Sequence, residues 1–294
     1  MIKNKNKENS LREALKKTEA SLSSAGITEA AIEAEWILAE VLQIKRYEIF
    51  LQPGRVMTED ELKNLNKIIK RRERREPLAY ITGRADFRGF TIKVSEATLI
   101  PRPETELLVD EALGALEKGG GPKLVLEPCT GSGCISLALA AEFHEAIKII
   151  ACDISKDALL IARENAACNN VEDKISFLRG DLLMAIKPDG AFDLIVANPP
   201  YIRETDMTGL QAEVRLFEPP LALDGGADGL DYIKRLIGDS AAVLRPGGSL
   251  LLEIGLGQAL ETIKFTDAAG FFEDIHMIRD LSGIERILSA RKKS

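Results

Sequence analysis

The sequence predicts an α/β fold: a doubly wound, mostly parallel sheet of seven strands, preceded by a small all-helical domain and a β-hairpin linker. Three observations predict it. Beyond residue 122, short continuous apolar runs alternate with helical segments, as when crossover helices bury both faces of a sheet. Before residue 77, apolar residues recur only at helical spacing. Between these regions the texture turns β-branched and aromatic, punctuated by glycine. A length of 294 residues suits roughly two domains at ~100–200 residues each, and the expected boundaries are 1–76, 77–100 and 101–294.

The first domain opens with Ser10 as a cap for LREALKKTEASLSSAG, with Leu11, Leu15 and Leu22 on one side and Gly26 as the stop. Thr28 opens a second amphipathic segment through Ile32, Trp36, Ile37 and Val41. Thr58 and Glu61 form a capping box ahead of Leu62, Leu65, Ile68 and Ile69. The basic run 70–75 that ends this helix reads as a solvated cationic terminus rather than an RNA contact. LAYITGRADFRGFTIKV, around Gly83 and Gly89, suggests a hairpin connecting the two domains. A helix from near Thr105 to the glycines at 119–121 leads into the alternating part. The strands there are KLVLEP, IKIIACD, KISFLRGD, AFDLIVANPP, GGSLLLEIG, EDIHMIRD and ERILSAR.

Composition excludes several classes. A net charge of −7 argues against wholesale binding to a nucleic-acid backbone. Apolar runs such as ISLALAA fall far short of the ~18 residues of a membrane span. MIKNKNKENS lacks the apolar core of a secretion signal, so a cytoplasmic location is expected. The four cysteines form no C-x-x-C pair and read as reduced thiols. With His144 and His276 as the only histidines, neither a His-rich metal site nor a Ser-His-Asp triad is expected.

Two stretches carry chemistry. The first strand ends in Glu127-Pro128-Cys129-Thr130-Gly131-Ser132-Gly133, a glycine turn entering a helix where doubly wound sheets bind ligands. The second strand ends in Asp153, near the ~20-residue spacing at which an acid meets ribose hydroxyls. Asp181 and Leu182, after the third strand, stand where an adenine ring would lie. This pattern alone fits NAD, a nucleotide or S-adenosylmethionine. The dinucleotide fingerprint, however, wants a third glycine where Ser136 stands. Glu127 would repel a pyrophosphate and suits the cationic amino-acid end of S-adenosylmethionine.

The second stretch is Asn198-Pro199-Pro200-Tyr201, after the fourth strand. Two prolines fix φ and remove two backbone donors. The Asn198 side-chain oxygen and the Pro199 carbonyl can then each accept one hydrogen of a planar NH2 group, while Tyr201 offers a ring face for stacking. A methyl donor and an amino-group clamp would share one crevice.

With these residues assembled, the chain resembles the PrmC/HemK family of release factor N5-glutamine methyltransferases. Further stretches carry the resemblance: PLAYITG (77–83), LIPRPETELLV (99–109), FEP with LALDGGADGL (217–230), EIG with Gln258, and RDLSGIERIL (279–288). It implies a Rossmann-like class I methyltransferase domain behind a helical substrate-recognition domain. The implied activity is methyl transfer from S-adenosylmethionine to the N5 amide of the GGQ glutamine in class 1 peptide chain release factors. Cofactor contacts are implied at Cys129, Thr130, Gly131, Ser132, Gly133, Asp153, Asp181, Leu182 and Asn198. Substrate and catalytic contacts are implied at Asn198, Pro199, Pro200 and Tyr201. A monomer is expected, with no stable nucleic-acid partner and no metal. Cys129 departs from the family pattern, which has glycine there. Other readings left open are an amino methyltransferase acting on a nucleic-acid base or a ribosomal-protein glutamine, an NAD-binding enzyme, and a silent binding module.

Overall fold

The computed structural model describes residues 9–118 and 120–294. The polar N-terminal stretch and Gly119, part of the expected glycine stop, lie outside the described residues. Two compact units emerge: Met1–Gly83 with Gln211–Phe217, and Arg84–Leu210 with Glu218–Ser294.

In the first unit the long helices are α1 (Leu11–Ser24), α2 (Ala30–Leu42) and α3 (Glu59–Glu73). Their shared core includes Leu11, Leu22, Ile37, Leu38 and Leu65. The capping box of α3 is present: the Glu61 N–H donates to Thr58 Oγ1 at 3.2 Å, and the Thr58 N–H donates to Glu61 Oε2 at 2.8 Å.

The packed face of α2 is rotated from the expected one. Ile32 and Trp36 are about half exposed, whereas Ala30, Ala34, Ile37 and Leu38 are buried. Small alanines on the packed stripe let neighbouring backbone come close, and Trp36 instead lies under the Arg46 guanidinium, 5.0 Å from its ring centre.

The basic run is not simply solvated. Arg72 is buried, donating from Nε to Glu33 Oε2 at 2.6 Å and from Nη2 to Glu213 Oε1 at 2.9 Å. Burial works against its charge, but the two carboxylates outweigh it and raise its pKa. Residues 78–82 form a short helix, not a strand, because Pro77 presets its entry and Gly83 stops it at φ +76°.

The second unit starts with the hairpin β1 (Arg84–Phe87) and β2 (Phe90–Lys93). Positive φ at Arg88 and Gly89 makes the primed turn that matches strand twist. Its helices are α4 (Pro103–Glu117), α5 (Cys134–Glu142), α6 (Lys156–Cys168), α7 (Asp231–Val243) and α8 (Ala259–Ala269). Its large sheet contains β3 (Lys123–Pro128), β4 (Ile147–Asp153), β5 (Ile175–Arg179), β6 (Phe192–Ala197), β7 (Leu244–Glu253), β8 (Phe272–Arg279) and β9 (Glu285–Lys292). Strand order is β5-β4-β3-β6-β7-β9-β8, with β9 antiparallel to both of its neighbours. The chain runs outward from β3 in one direction, then returns to place β6 on its other side. That reversal opens a crevice beyond the carboxyl ends of β3 and β6.

Candidate active site

A cavity of about 290 Å³ occupies this crevice, close to the ~300 Å³ at which small-ligand pockets begin. Cys129, Thr130, Gly131, Ser132, Asp153, Asp181, Leu182, Asn198 and Pro200 line it. Gly133, Pro199 and Tyr201 are not part of its wall.

The loop after β3 makes its floor. Gly131 has φ +54°, and a Cβ built there would meet no protein atom within 4 Å. A side chain would therefore project into open space on a cavity wall. Gly133 serves differently: a Cβ there would lie 2.9 Å from Ala162 Cβ, so this glycine permits α5 to pack against α6. Cys129 holds φ +61°, a left-handed conformation that side chains other than glycine adopt at some cost.

Asp153, at the end of β4, is fixed from two sides. The Gly131 N–H donates to its Oδ2 at 2.8 Å and the Ser155 N–H to its Oδ1 at 2.9 Å. Burial pushes its pKa up, while these amides and that of Ile154 pull it down. Each oxygen retains acceptor capacity suited to hydroxyl donors. Asp181 accepts from Arg235 Nη2 at 2.7 Å, so the polar contact expected there is shared with an arginine.

Glu127 lies fully buried beneath the loop. Its Oε2 accepts from Thr130 Oγ1 at 2.8 Å, from the Ser136 N–H at 3.0 Å and from the Ser136 hydroxyl. Its Oε1 has no partner, the one such buried side-chain atom among the described residues. Burial raises the carboxyl to about 8 against the pull of those hydrogen bonds. A glycine floor whose added Cβ would meet no protein atom, beside the amide-held carboxylate of Asp153, fits the ribose-bearing S-adenosylmethionine.

On the opposite wall, Asn198 Nδ2 donates to Thr105 Oγ1 at 3.2 Å. Thr105 in turn donates to Glu253 Oε2 at 2.8 Å, and the Tyr201 hydroxyl to Glu253 Oε1 at 3.3 Å. Tyr201 is thus engaged through its hydroxyl; burial and the carboxylate of Glu253 raise its pKa. The loop itself is strapped from behind. Gln258 Nε2 donates to the Tyr201 carbonyl at 2.9 Å and to the Gly229 carbonyl at 3.1 Å. A Cβ at Gly229 would lie 2.4 Å from the Tyr201 carbonyl, and one at Gly225 would lie 2.7 Å from Tyr201 Cα. The GGADG run is therefore a glycine bed for the Asn-Pro-Pro-Tyr loop.

Sequence reasoning did not reach Thr105 and Glu253 as a pair, nor Tyr232 and Arg235, which also line the cavity. Thr105 reads only as a helix start. Glu253 had a usable signal, an acid ending a continuous apolar strand.

Comparison with known proteins extends this geometry. Residues 13–83 match the family described as PrmC N-terminal domain, and residues 105–219 match the Methyltransferase small domain. A release factor glutamine methyltransferase of Nitratidesulfovibrio vulgaris is 39% identical over 272 residues, covering 92% of this chain and 91% of that protein. The Synechocystis protein of the same name is 40% identical, covering 89% and 90% respectively. Among solved structures, a Pyrococcus furiosus methyltransferase aligns with a TM-score of 0.52 at 18% identity, covering 71% of this chain and 91% of its own. The catalytic domain of human Mettl16, in complex with an RNA hairpin, aligns with a TM-score of 0.54 at 18% identity, covering 81% and 84%. The two structures establish the class I methyltransferase fold. The sequence relatives, at 39% and 40% identity over about nine-tenths of the chain, make it a member of the release factor glutamine methyltransferase family.

Proposed function

We propose that the chain methylates the side-chain amide nitrogen of the GGQ glutamine in class 1 peptide chain release factors, using S-adenosylmethionine. The observation that carries the site assignment is that Asn198 and Asp153, at the carboxyl ends of two different parallel strands, line one cavity. S-adenosylmethionine supplies an electrophilic methyl group on a sulfonium sulfur. Asp153 would hold ribose hydroxyls, Gly131 would let the backbone approach, and Asp181 with Leu182 would flank the adenine. Glu127 braces the loop from beneath through Thr130 and Ser136.

A carboxamide nitrogen is a poor nucleophile because its lone pair is delocalised into the carbonyl. Asn198 Oδ1 and the Pro199 carbonyl, as acceptors for its two hydrogens, push density toward nitrogen and fix its direction of attack. Much of the acceleration is positional, and acceptors aimed at the charge developing on nitrogen supply more. Tyr201 supports the clamp from the side through Glu253. The proton leaves to water or through the Asn198 and Pro199 oxygens.

The helical unit is read as the substrate-recognition module, with Trp36, Tyr47 and Phe50 as exposed aromatic surface. We read the chain as a cytoplasmic monomer without a stable nucleic-acid partner, in keeping with its net charge of −7. Among the described residues, no helix is long and apolar enough to cross a membrane.

The test is incubation with methyl-labelled S-adenosylmethionine, a release factor and DNA. Label on the release-factor glutamine supports the reading; label on DNA alone overturns it.

A further inference from the structure

A carboxamide has two ends of nearly equal size and opposite hydrogen-bonding character. For Asn198 to hold an NH2 group it must present its oxygen; turned over, it would set donor against donor. Neither Asn198 nor the two prolines beside it determine which end faces the cavity.

We propose that Thr105 and Glu253 are positioning residues that fix the polarity of the clamp, holding the Asn198 nitrogen toward the protein so that its oxygen faces the substrate amide. The proposal rests on the reading of Asn198 given above.

Ionised Glu253 only accepts. Its Oε2 lies 2.8 Å from Thr105 Oγ1, so the single hydroxyl proton of Thr105 is committed there. Only lone pairs of Thr105 then remain for Asn198, and only the Nδ2 end can satisfy them, at 3.2 Å. The other oxygen of Glu253 accepts from Tyr201 at 3.3 Å, so one acid orders both the first and the last residue of the loop. Thr105 and Glu253 are each about 2% exposed, which keeps water from substituting for either partner. Three elements bring the groups together: the first turn of α4, the carboxyl end of β7 and the loop after β6.

A protonated Glu253 would lose this directing power, since one oxygen becomes a donor and Thr105 is free to turn. Burial raises the Glu253 carboxyl to about 7, with hydrogen bonds from Thr105 and Tyr201 opposing that rise. The other ionisable groups acting on it are Glu104 on α4, which raises it, and Arg286 on β9, which lowers it. Cys134 on α5 also feels the Glu253 charge.

The experiment compares Thr105→Val, Thr105→Ser, Glu253→Gln and Asn198→Ala in the full chain, measuring kcat against pH and the Kd for S-adenosylmethionine. Thr105→Val keeps side-chain volume and removes the relay; kcat is expected to fall about tenfold or more with cofactor Kd unchanged. Thr105→Ser restores the hydroxyl and is expected to recover most of kcat. In the wild type, kcat should fall on the acid side of about pH 7, and Glu253→Gln should lower kcat and abolish that limb. Wild-type kcat in Thr105→Val, equal loss in Thr105→Val and Thr105→Ser, or an intact acid limb in Glu253→Gln would each overturn the proposal. If Thr105→Val does not fold, the Glu253→Gln pH profile decides alone. Asn198→Ala separates the two levels: wild-type turnover there sinks the clamp itself, whereas an inactive Asn198→Ala beside a fully active Thr105→Val sinks only the positioning roles.

Discussion

The backbone N–H of Gly131 donates to Oδ2 of Asp153 at 2.8 Å, tying the glycine loop after β3 to the acid that ends β4. The carboxylate is therefore held by a backbone amide on each of its oxygens. Replacing it should cost binding more than chemistry. Asp153→Ala is expected to raise the Kd for S-adenosylmethionine by about 10- to 100-fold, the value of one or two hydrogen bonds to a charged group. Calorimetric titration checks this, and an unchanged Kd removes the ribose role.

Asn198 lines the same cavity from the loop after β6. Asn198→Ala should lower kcat by about 100-fold or more while leaving the cofactor Kd mostly intact. Single-turnover rates with saturating cofactor give the answer.

Glu127 links the site to pH. Its folded pKa of about 8 lies above the ordinary value for glutamate, so the folded state binds the extra proton between them. Its contribution to stability is whole below the ordinary carboxylate range and is lost as pH rises toward 8. The slope reaches at most about 1.4 kcal/mol per pH unit. Cofactor-free wild type should therefore lose stability relative to Glu127→Gln between about pH 5 and 8. Urea midpoints for both proteins across that range provide the measurement; parallel profiles would refute it.

Gly229 tests the bed beneath the clamp. Its φ of +74° and the 2.4 Å approach of a Cβ to the Tyr201 carbonyl leave no room for a methyl group. Gly229→Ala should displace the Asn-Pro-Pro-Tyr loop and reduce kcat by about tenfold or more. Asp153 ends β4, which β3 separates from β6, so cofactor affinity should change less than turnover.

Arg72 anchors the helical unit. Its forked contacts to Glu33 and its bond to Glu213 are partly buried. Arg72→Met keeps the stem but strands Glu33, and should destabilise the chain by about 2–4 kcal/mol. Arg72→Lys should rescue little, because an ammonium cannot reproduce the fork. Thermal unfolding of the full chain distinguishes these outcomes.

The sheet was legible because strands buried on both faces must be continuously apolar, as LVL, IIA and LIVA are, and because ligands gather where such strands end. The sequence also put the Asn-Pro-Pro-Tyr loop at the end of a central strand, and Asn198 and Pro200 do line the cavity there. What stayed hidden depends on partners distant in the chain. Thr105 and Glu253 meet across 148 positions, and Arg72 finds Glu213 across 141; local periodicity carries no trace of either. The rotated face of α2 was missed for a different reason. Trp36 weighs heavily in any apolar pattern, yet three alanines, Ala30, Ala34 and Ala39, which weigh little, are among the buried residues.

The alignment of Asn198, Thr105 and Glu253 also bears on which side chains the enzyme ignores. Glutamine and glutamate are nearly identical in shape, and spontaneous deamidation converts one into the other. If Asn198 and Pro199 present only acceptor oxygens, as proposed, they have nothing to offer a carboxylate but repulsion. Aged release factor bearing the deamidated residue would then neither occupy the cavity nor compete for it, and the enzyme would turn over undamaged substrate even in a mixed population.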